Sequence, residues 1–255
     1  MRKRLTLMTY NIHSGVGRDR RYELDRVAKI LQEESPDIVA LQEVNRGMSW
    51  TRRHDQPRML ADMLGMNEYF CRTSWRGGGE WGLALLSPYT LVHRHEYDLT
   101  YSPNREPRFC LRVDIEIARK AMLHVFNCHL GLTSRERLYQ RRQMLSDAVL
   151  LADDLQHPTV VMGDFNDRPL SVVHRHLRYH FEDAFRLAGK RSGPTFIYGP
   201  LRLKLDHIYV SSGVRVLNCW VQRTGAARIA SDHLPVGCTV EVEWPGKRRS
   251  VKKAR

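Results

Sequence analysis

Hydrophobic residues along the chain follow two spacings, and each spacing predicts a different kind of element. In residues 24–31 the apolar side chains are three or four positions apart, which is typical of one face of an α-helix that Pro36 then closes. In residues 109–117 apolar and polar side chains alternate, which is typical of a strand with one buried face. The same spacings predict helices in 59–64 and 135–154, and strands in 5–9, 38–41, 83–86, 121–128, 159–162, 205–210, 214–221 and 236–244.

The order of these elements indicates the fold class. Strands outnumber helices, hairpins occur beside strand-helix-strand passages, and no G-x-G-x-x-G pattern follows the first strand. We therefore predict an α/β fold, a four-layer α/β sandwich in which two packed mixed β-sheets are flanked by helices. No linker rich in proline, glycine and serine divides the chain. Residues 1–245 are predicted to form a single domain, and residues 246–255 a basic, disordered tail.

Composition narrows the class of protein. Of the 255 residues, 42% are hydrophobic and 27% charged, which is close to the globular average. The chain has no apolar run long enough for a spanning helix and no apolar core of a signal peptide, so we expect a cytoplasmic protein. We also expect a monomer. The five cysteines are widely spaced without a C-x-x-C pair, so we predict reduced, mostly buried thiols rather than disulfides or a zinc site.

Charge points to a polyanionic partner. Lysine and arginine number 41 against 28 aspartate and glutamate, which gives a formal net charge of +13. Six basic residues lie in the last ten positions, and others recur in residues 18–21, 135–142 and 174–180. Such an excess favours nucleic acid or an anionic membrane surface as a partner, although a solvated basic surface is the alternative interpretation.

Polar side chains with metal-binding or acid-base chemistry follow several of the predicted strands. They are Asn11 in TYNIH, Glu43 in LQEV, His129 in NCHLGL, Asp164 and Asn166 in GDFND, and Asp232 and His233 in SDH. Each one alone is typical of a turn or of a satisfied core polar group. Carboxylate and amide oxygens together suit Mg²⁺ or Mn²⁺, whereas zinc would need more histidine or cysteine at close spacing.

These motifs, with GLALLS at 82–87 and LDHIYV at 205–210, stand in an order that resembles the endonuclease/exonuclease/phosphatase superfamily. The superfamily includes deoxyribonuclease I, abasic-site endonucleases, neutral sphingomyelinases and inositol polyphosphate 5-phosphatases. The resemblance runs from Thr9 to Val240 and implies a deoxyribonuclease I-like sandwich with an active site at one end. It also implies metal-assisted attack of water on phosphorus with departure of an alcohol.

The resemblance assigns roles to the residues that could handle metal and water. Glu43 is the implied principal ligand of Mg²⁺ or Mn²⁺, with Asn11 close by and Asp232 able to join the metal shell. Asp164 matches the residue that orients or deprotonates the attacking water, and Asn166 would position that water or donate to the developing charge.

Two histidines are implied to handle the phosphate. His233, oriented by Asp206, resembles the pair that contacts the scissile phosphate or serves as its general base. His129 would stand opposite, stabilising phosphate charge or protonating the leaving oxygen. Arg108 is a further candidate for substrate binding, because a guanidinium before a strand could clamp a phosphate, and a surface arginine is the alternative.

Three functions remain open at this point. A metal-dependent nuclease acting on DNA fits the positive charge, because the field would concentrate a polyanion at the site. A phosphodiesterase or phosphatase acting on phospholipid head groups or small phosphate esters is the alternative, with the basic tail on an anionic membrane. A non-catalytic binding module is disfavoured by the complete set of candidate catalytic residues.

Overall fold

In the computed structural model, which describes residues 1–244, two six-stranded β-sheets and six α-helices are present. The strands are β1 (Arg2–Asn11), β2 (Ile38–Arg46), β3 (Asn67–Arg76), β4 (Gly79–Ser87), β5 (Thr90–Asp98), β6 (Phe109–Ala118), β7 (Ala121–His129), β8 (Thr159–Asp164), β9 (Glu182–Asp183), β10 (Phe196–Tyr198), β11 (Leu201–Leu203), β12 (Asp206–Val210), β13 (Val214–Val221) and β14 (Val236–Glu243). The helices are α1 (Leu24–Glu34), α2 (Gln56–Leu64), α3 (Ser134–Met144), α4 (Val172–Leu177), α5 (Ala184–Leu187) and α6 (Ala227–Ala230).

Both large sheets are mixed. The first has the strand order β13-β14-β1-β2-β4-β3, and its β1 and β2 are parallel. The second has the order β5-β6-β7-β8-β12-β9, and its β7 and β8 are parallel. Strands β10 and β11 form a separate antiparallel hairpin. The predicted hairpin of 109–128 is confirmed as β6 and β7.

The hydrophobic core follows the alternation along the strands. One set of side chains, including Leu7 of β1 and Val113 of β6, fills the space between the two sheets. The alternate side chains face outward, where Met8 packs under α1 and α2, and Phe126 packs under α3 and α4. The result is the predicted four-layer α/β sandwich, because each sheet buries its inner face on the other sheet and its outer face under helices.

The predicted helix over 135–154 was wrong in its second half. Helix α3 ends at Met144, and Leu150 folds back to donate its backbone N–H to the Met144 carbonyl at 3.0 Å. Val149 and Leu150 are buried against the second sheet from a turn. Their helical spacing therefore reflects tertiary packing of a turn and not a continuous helix.

Sequence reasoning missed several strands and predicted the state of the cysteines correctly. Strands β3, β5, β9, β10 and β11 were missed. Strand β5 exposes most of its residues to solvent, and β9, β10 and β11 have only two or three residues each. All five cysteines are buried and free, as predicted. No helix within residues 1–244 is long and apolar enough to cross a membrane. The predicted tail, 246–255, lies outside the described residues.

Candidate active site

Strand register brings the candidate catalytic side chains to one end of the sandwich. In the parallel pair β7 and β8, His129 lies beside Asp164. In the antiparallel pair β8 and β12, Asp164 lies beside Asp206. Strand β1 of the other sheet ends at the same edge with Asn11. The motifs are therefore far apart in sequence and adjacent in space.

Asp164 is the centre of this cluster. Its side chain is 1% exposed, and its Oδ2 lies 3.1 Å from Asn11 Nδ2, 3.5 Å from His129 Nε2 and 3.5 Å from His233 Nε2. Its Oδ1 accepts the backbone N–H of Asn166 at 2.8 Å. Burial raises the pKa of Asp164 to about 7, with Asp206 adding to the rise and His233 opposing it. The carboxyl group thus gains and loses its proton near neutral pH.

His233 forms a pair with Asp206. Its Nδ1 donates to Asp206 Oδ2 at 2.8 Å, which leaves Nε2 directed at Asp164. Burial alone would lower the pKa of His233, but the carboxylates of Asp206 and Asp164 outweigh it and raise the pKa to about 10. The imidazole is therefore cationic at neutral pH. The predicted orientation of His233 by Asp206 is present in the structure.

Glu43 and Asn11 join the cluster from the other sheet. The side-chain amide of Asn11 donates to Glu43 Oε1 at 3.0 Å as well as to Asp164. Glu43 has a left-handed backbone with φ of 54°, at a bulge where the register of β2 with β4 shifts between Leu41 and Val44. Such strained positions in non-glycine residues are often found at functional sites, where surrounding structure holds them.

Arg108 and His129 form a second pair of side chains next to Asp164. Arg108 is 5% exposed, so the alternative that it is a surface arginine was wrong. Its Nη1 donates to His129 Nε2 at 2.9 Å. Burial lowers the pKa of His129 well below its usual value, and Arg108, His233 and Arg76 lower it further. The neutral ring of His129 therefore positions Arg108, and Arg108 carries the positive charge of this pair.

Two predicted residues sit at the margin of the cluster. Asn166 has φ of 48° and its Nδ2 donates to the Leu130 carbonyl at 3.0 Å, so its side chain is fixed next to Asp164. Asp232 is partly exposed, and its Oδ1 lies 3.4 Å from Ser231 Oγ. Asp232 contributes to the raised pKa of His233 and so lies close to the site.

Sequence reasoning missed Arg76, which Glu106 links to the predicted Arg108 beside the site. The carboxylate of Glu106 lies 2.8 Å from Arg76 Nη2 and 3.3 Å from Arg108 Nη2. The Arg76 guanidinium lies 3.9 Å from the centre of the Trp81 ring. The Trp81 ring in turn lies 5.8 Å from that of His129. Arg76 and Trp81 flank the Gly-rich segment of the β3–β4 hairpin, and that proximity to glycine was the available signal.

A buried polar network beneath the site was also missed. Gln42 Nε2 on β2 donates to Asn127 Oδ1 on β7 at 2.7 Å. Asn127 Nδ2 donates back to the carbonyls of Leu41 and Ala84, each at 2.9 Å. Both amides are fully buried, so these bonds tie the two sheets together directly under the candidate catalytic residues.

Gly163 shows why the GDFN motif begins with glycine. Its φ is 148°, and a Cβ there would lie 2.0 Å from the Cys128 carbonyl oxygen on the neighbouring strand. A side chain would push β8 away from β7. Because Asp164 follows directly, that shift would displace the centre of the cluster.

The side chains fit a hard divalent cation. Carboxylate oxygens of Asp164 and Asp206 lie within 4.8 Å of each other, and Asn11 links Asp164 to the further carboxylate of Glu43. Among the described residues, buried Asp206 Oδ1 has no hydrogen-bond partner. Several carboxylate oxygens with an amide nearby are the donor set that Mg²⁺ and Mn²⁺ prefer. The Oδ1 of Asn11 accepts the His13 N–H at 3.1 Å, so the amide of Asn11 is held between the acids.

Comparison with known proteins identifies the family. Residues 8–233 match the model described as the endonuclease/exonuclease/phosphatase family. The chain belongs to this family. Its members are metal-dependent phosphoesterases, so the chain belongs to a class of hydrolases that contains both nucleases and phosphatases.

Solved structures agree on the fold. A Beutenbergia cavernae endonuclease/exonuclease/phosphatase is 24% identical, with 94% of this chain and 72% of that chain covered and a TM-score of 0.76. The human Nocturnin catalytic domain with bound sulfate is 21% identical, with coverage of 94% and 97% and a TM-score of 0.74. The Bacteroides thetaiotaomicron mannosyl-6-phosphatase Bt3783 is 17% identical, with coverage of 92% and 99% and a TM-score of 0.71. None of the curated proteins matches the sequence.

Proposed function

We propose that the protein is a Mg²⁺- or Mn²⁺-dependent phosphodiesterase that cleaves nucleic acid, with DNA as the first candidate substrate. The observation that carries the proposal is the contact of Asp164 with His233, because it places a carboxyl group with a pKa of about 7 beside a cationic imidazole. Hydrolysis of a phosphodiester needs a base for water and positive charge at the phosphate, and this pair supplies both.

Each group has a task in the proposed reaction. Asp164 accepts the proton of the attacking water, and Asn166, fixed beside it, orients that water. His233 donates from Nε2 to a phosphate oxygen, while Asp206 keeps its ring in place. Arg108, held by His129, neutralises charge on the phosphate.

Glu43, with Asn11 and Asp232 beside it, is the proposed metal-binding group. A bound divalent cation would neutralise the phosphate oxygens and favour departure of the alcohol.

Arginines that bond to backbone carbonyls beside the site support a polyanionic substrate. Arg18 Nη1 donates to the Arg228 carbonyl at 3.3 Å, and Arg228 Nε donates to the Arg223 carbonyl at 3.1 Å. Arg223 Nη2 donates to the Pro194 carbonyl at 3.2 Å. A carbonyl partner leaves the positive charge of a guanidinium in place, whereas a carboxylate partner would cancel it. Helix α6, which carries Arg228, leads directly into Asp232 and His233. A positive field at this position would attract a nucleic-acid backbone.

A second candidate function is hydrolysis of a smaller phosphate ester with an apolar group, such as a phospholipid. A groove of about 510 Å³ next to Asn166 supports it, because four leucines line the groove beside its polar residues. Leu170 is 86% exposed and Leu132 is 68% exposed, so two large apolar side chains face solvent beside the site. The similar fold of a mannosyl-6-phosphatase is consistent with hydrolysis of a small phosphate ester.

A substrate panel tests both candidates. Plasmid DNA, single-stranded DNA, RNA, phospholipid vesicles and inositol phosphates would be incubated with Mg²⁺ or Mn²⁺, with and without EDTA. Asp164→Asn is the control for contaminating activity. Cleavage of nucleic acid that requires the cation and Asp164 is the expected result. Activity on phospholipid or small esters alone would overturn the nuclease proposal in favour of the second candidate.

A further inference from the structure

Two basic segments that are separate in the sequence form one groove between α3 and α4. Residues 135–142 lie on α3 and residues 174–180 on or just after α4, and Arg141 Nη1 contacts His176 Nδ1 across the gap. The groove has a volume of about 400 Å³. Its lining residues are Arg141, Arg142, Leu145, His176, Tyr179 and His180. They are all distinct from the residues of the candidate catalytic cluster.

Positive charge in the groove has no acidic counterpart among the described residues. No aspartate or glutamate of residues 1–244 lines it. The pKa of Arg141 is lowered by burial and by Arg142, and the pKa of His176 is lowered by burial and by Arg141 and Arg175. By contrast Arg137, one turn earlier on α3, is paired with Asp167 Oδ2 at 3.2 Å. The groove therefore concentrates cations that an anion would neutralise.

An exposed aromatic ring lies in the same groove as Arg141 and Arg142. Tyr179 is 74% exposed, and its ring centre lies 5.9 Å from that of His176. A large exposed ring next to arginine is typical of proteins that stack the bases of single-stranded nucleic acid. A phosphate alone would not need Tyr179, so the ring favours a nucleotide over a simple anion.

The groove is separated from the catalytic cluster by the first two turns of α3. Leu130, whose carbonyl accepts from Asn166, is followed by the cap residue Thr133 and then by α3. Arg141 is two turns along this helix, about 12 Å from Thr133 at about 1.5 Å per residue. A ligand in the groove is thus too far away to be the scissile phosphate but within the reach of the same nucleic-acid strand.

We propose that this groove binds a phosphodiester of the nucleic-acid substrate away from the scissile bond, with Arg141 and Arg142 on the phosphate and Tyr179 on a neighbouring base. The inference rests on the proposed nuclease function, because it supplies the nucleic acid. It predicts that substrate length matters. A strand long enough to reach the groove gains affinity there, whereas a dinucleotide occupies the catalytic cluster alone.

The test compares two charge-matched double variants on substrates of two lengths. Arg141→Gln/Arg142→Gln removes two positive charges from the groove. Arg119→Gln/Lys120→Gln removes two from the β6–β7 turn, at the opposite end of β7 from His129. For a single strand of about 20 nucleotides, the first variant should raise KM on the order of tenfold, as expected for loss of charge-assisted hydrogen bonds. KM for a dinucleotide, kcat for both substrates and all values of the control should stay unchanged.

A binding measurement separates this inference from the proposed function. Fluorescence anisotropy of the same longer strand, carrying a fluorescent label, is recorded in EDTA over a range of salt. Removal of each phosphate-binding charge should flatten the log-log salt dependence by about 0.7. Tyr179→Ala, at an exposed position, should weaken binding without changing this slope, and Tyr179→Phe should restore the affinity.

Several results would overturn the inference. One is KM, affinity and salt slope equal to those of the control variant. Another is unchanged oligonucleotide binding together with lost binding to vesicles of anionic phospholipid, which would make the groove a lipid-binding surface. If the unaltered protein cleaves no nucleic acid, the proposed function fails, and the anisotropy comparison still decides whether the groove binds the strand.

Discussion

Asp164 Oδ2 lies 3.5 Å from His233 Nε2, and both side chains are buried at the end of the sandwich. Asp206 on the far side of the imidazole holds that ring in place. The pKa of the carboxyl rises to about 7 while that of the imidazole rises to about 10. Around neutral pH the imidazole is therefore charged while the carboxyl group exchanges its proton.

The pH dependence of hydrolysis follows from this pair. If Asp164 is the base, kcat/KM should fall as pH decreases through about 7, because the protonated carboxyl cannot accept a proton. In His233→Gln the acidic limb should move to higher pH, because the positive charge that lowers the pKa of Asp164 is gone. A profile that is flat between about pH 5 and about 8 would argue against Asp164 as the base.

Substitutions at the pair should reduce turnover without unfolding the protein. Asp164→Asn and His233→Ala should each lower kcat by about 10²-fold or more, since acid-base assistance is commonly worth about 10² to 10⁴. Asp206→Ala should have a milder effect, because the imidazole remains although its orientation is lost. Circular dichroism of each variant checks the fold. Near-normal kcat in the first two variants would show that Asp164 and His233 are not catalytic residues.

Asp164→Asn should also make the metal-free protein more stable above about pH 7. The folded pKa of about 7 lies above the usual value of 3.8, so the folded state holds the proton more tightly than the unfolded state. The free energy of unfolding therefore decreases as pH rises from about 4 to about 7. Asparagine resembles the protonated form and avoids this loss. Thermal unfolding in EDTA at about pH 8 should give a higher Tm for the variant, and an unchanged or lower Tm would contradict the buried-charge argument.

Metal dependence is expected to centre on Glu43. EDTA should abolish hydrolysis, and Mg²⁺ or Mn²⁺ should restore it. Glu43→Gln should raise the metal concentration needed for half-maximal rate, because one carboxylate ligand is lost while the amide can still bond to Asn11. Glu116→Gln, on the polar face of β6, is a control for general loss of charge. Full activity after exhaustive chelation, or recovery with zinc alone, would refute the assignment.

Most of the fold was predictable because it depends on local pattern, and the candidate site residues could be named because they stand at strand ends in the order of the family motifs. Alternation in residues 109–117 predicted which face of β6 is buried, and the polar residues at strand ends indicated the candidate site residues. Helix 135–154 could not be predicted correctly, because burial of Val149 and Leu150 by the second sheet produces a helical spacing without a helix.

The residues that were missed depend on contacts between distant segments. Arg76 reaches Arg108 through Glu106, and the Gly-rich segment beside Arg76 gives no indication of which distant residue it contacts. Gln42 and Asn127 are adjacent to motif residues, yet their hydrogen bond exists only once the sheets have packed. A polar residue next to a catalytic candidate on a buried strand is the signal that points to such networks.

The bond between Gln42 and Asn127 has a consequence for how activity is lost on heating. Because it joins the sheets under the catalytic cluster, the two halves of the site cannot separate while the core stays closed. Local opening would leave two buried amides unpaired, which is costly, so the site belongs to the most cooperative part of the molecule. Inactivation and global unfolding should therefore coincide in temperature. Gln42→Leu should pull the two curves apart, with activity declining before the melting transition.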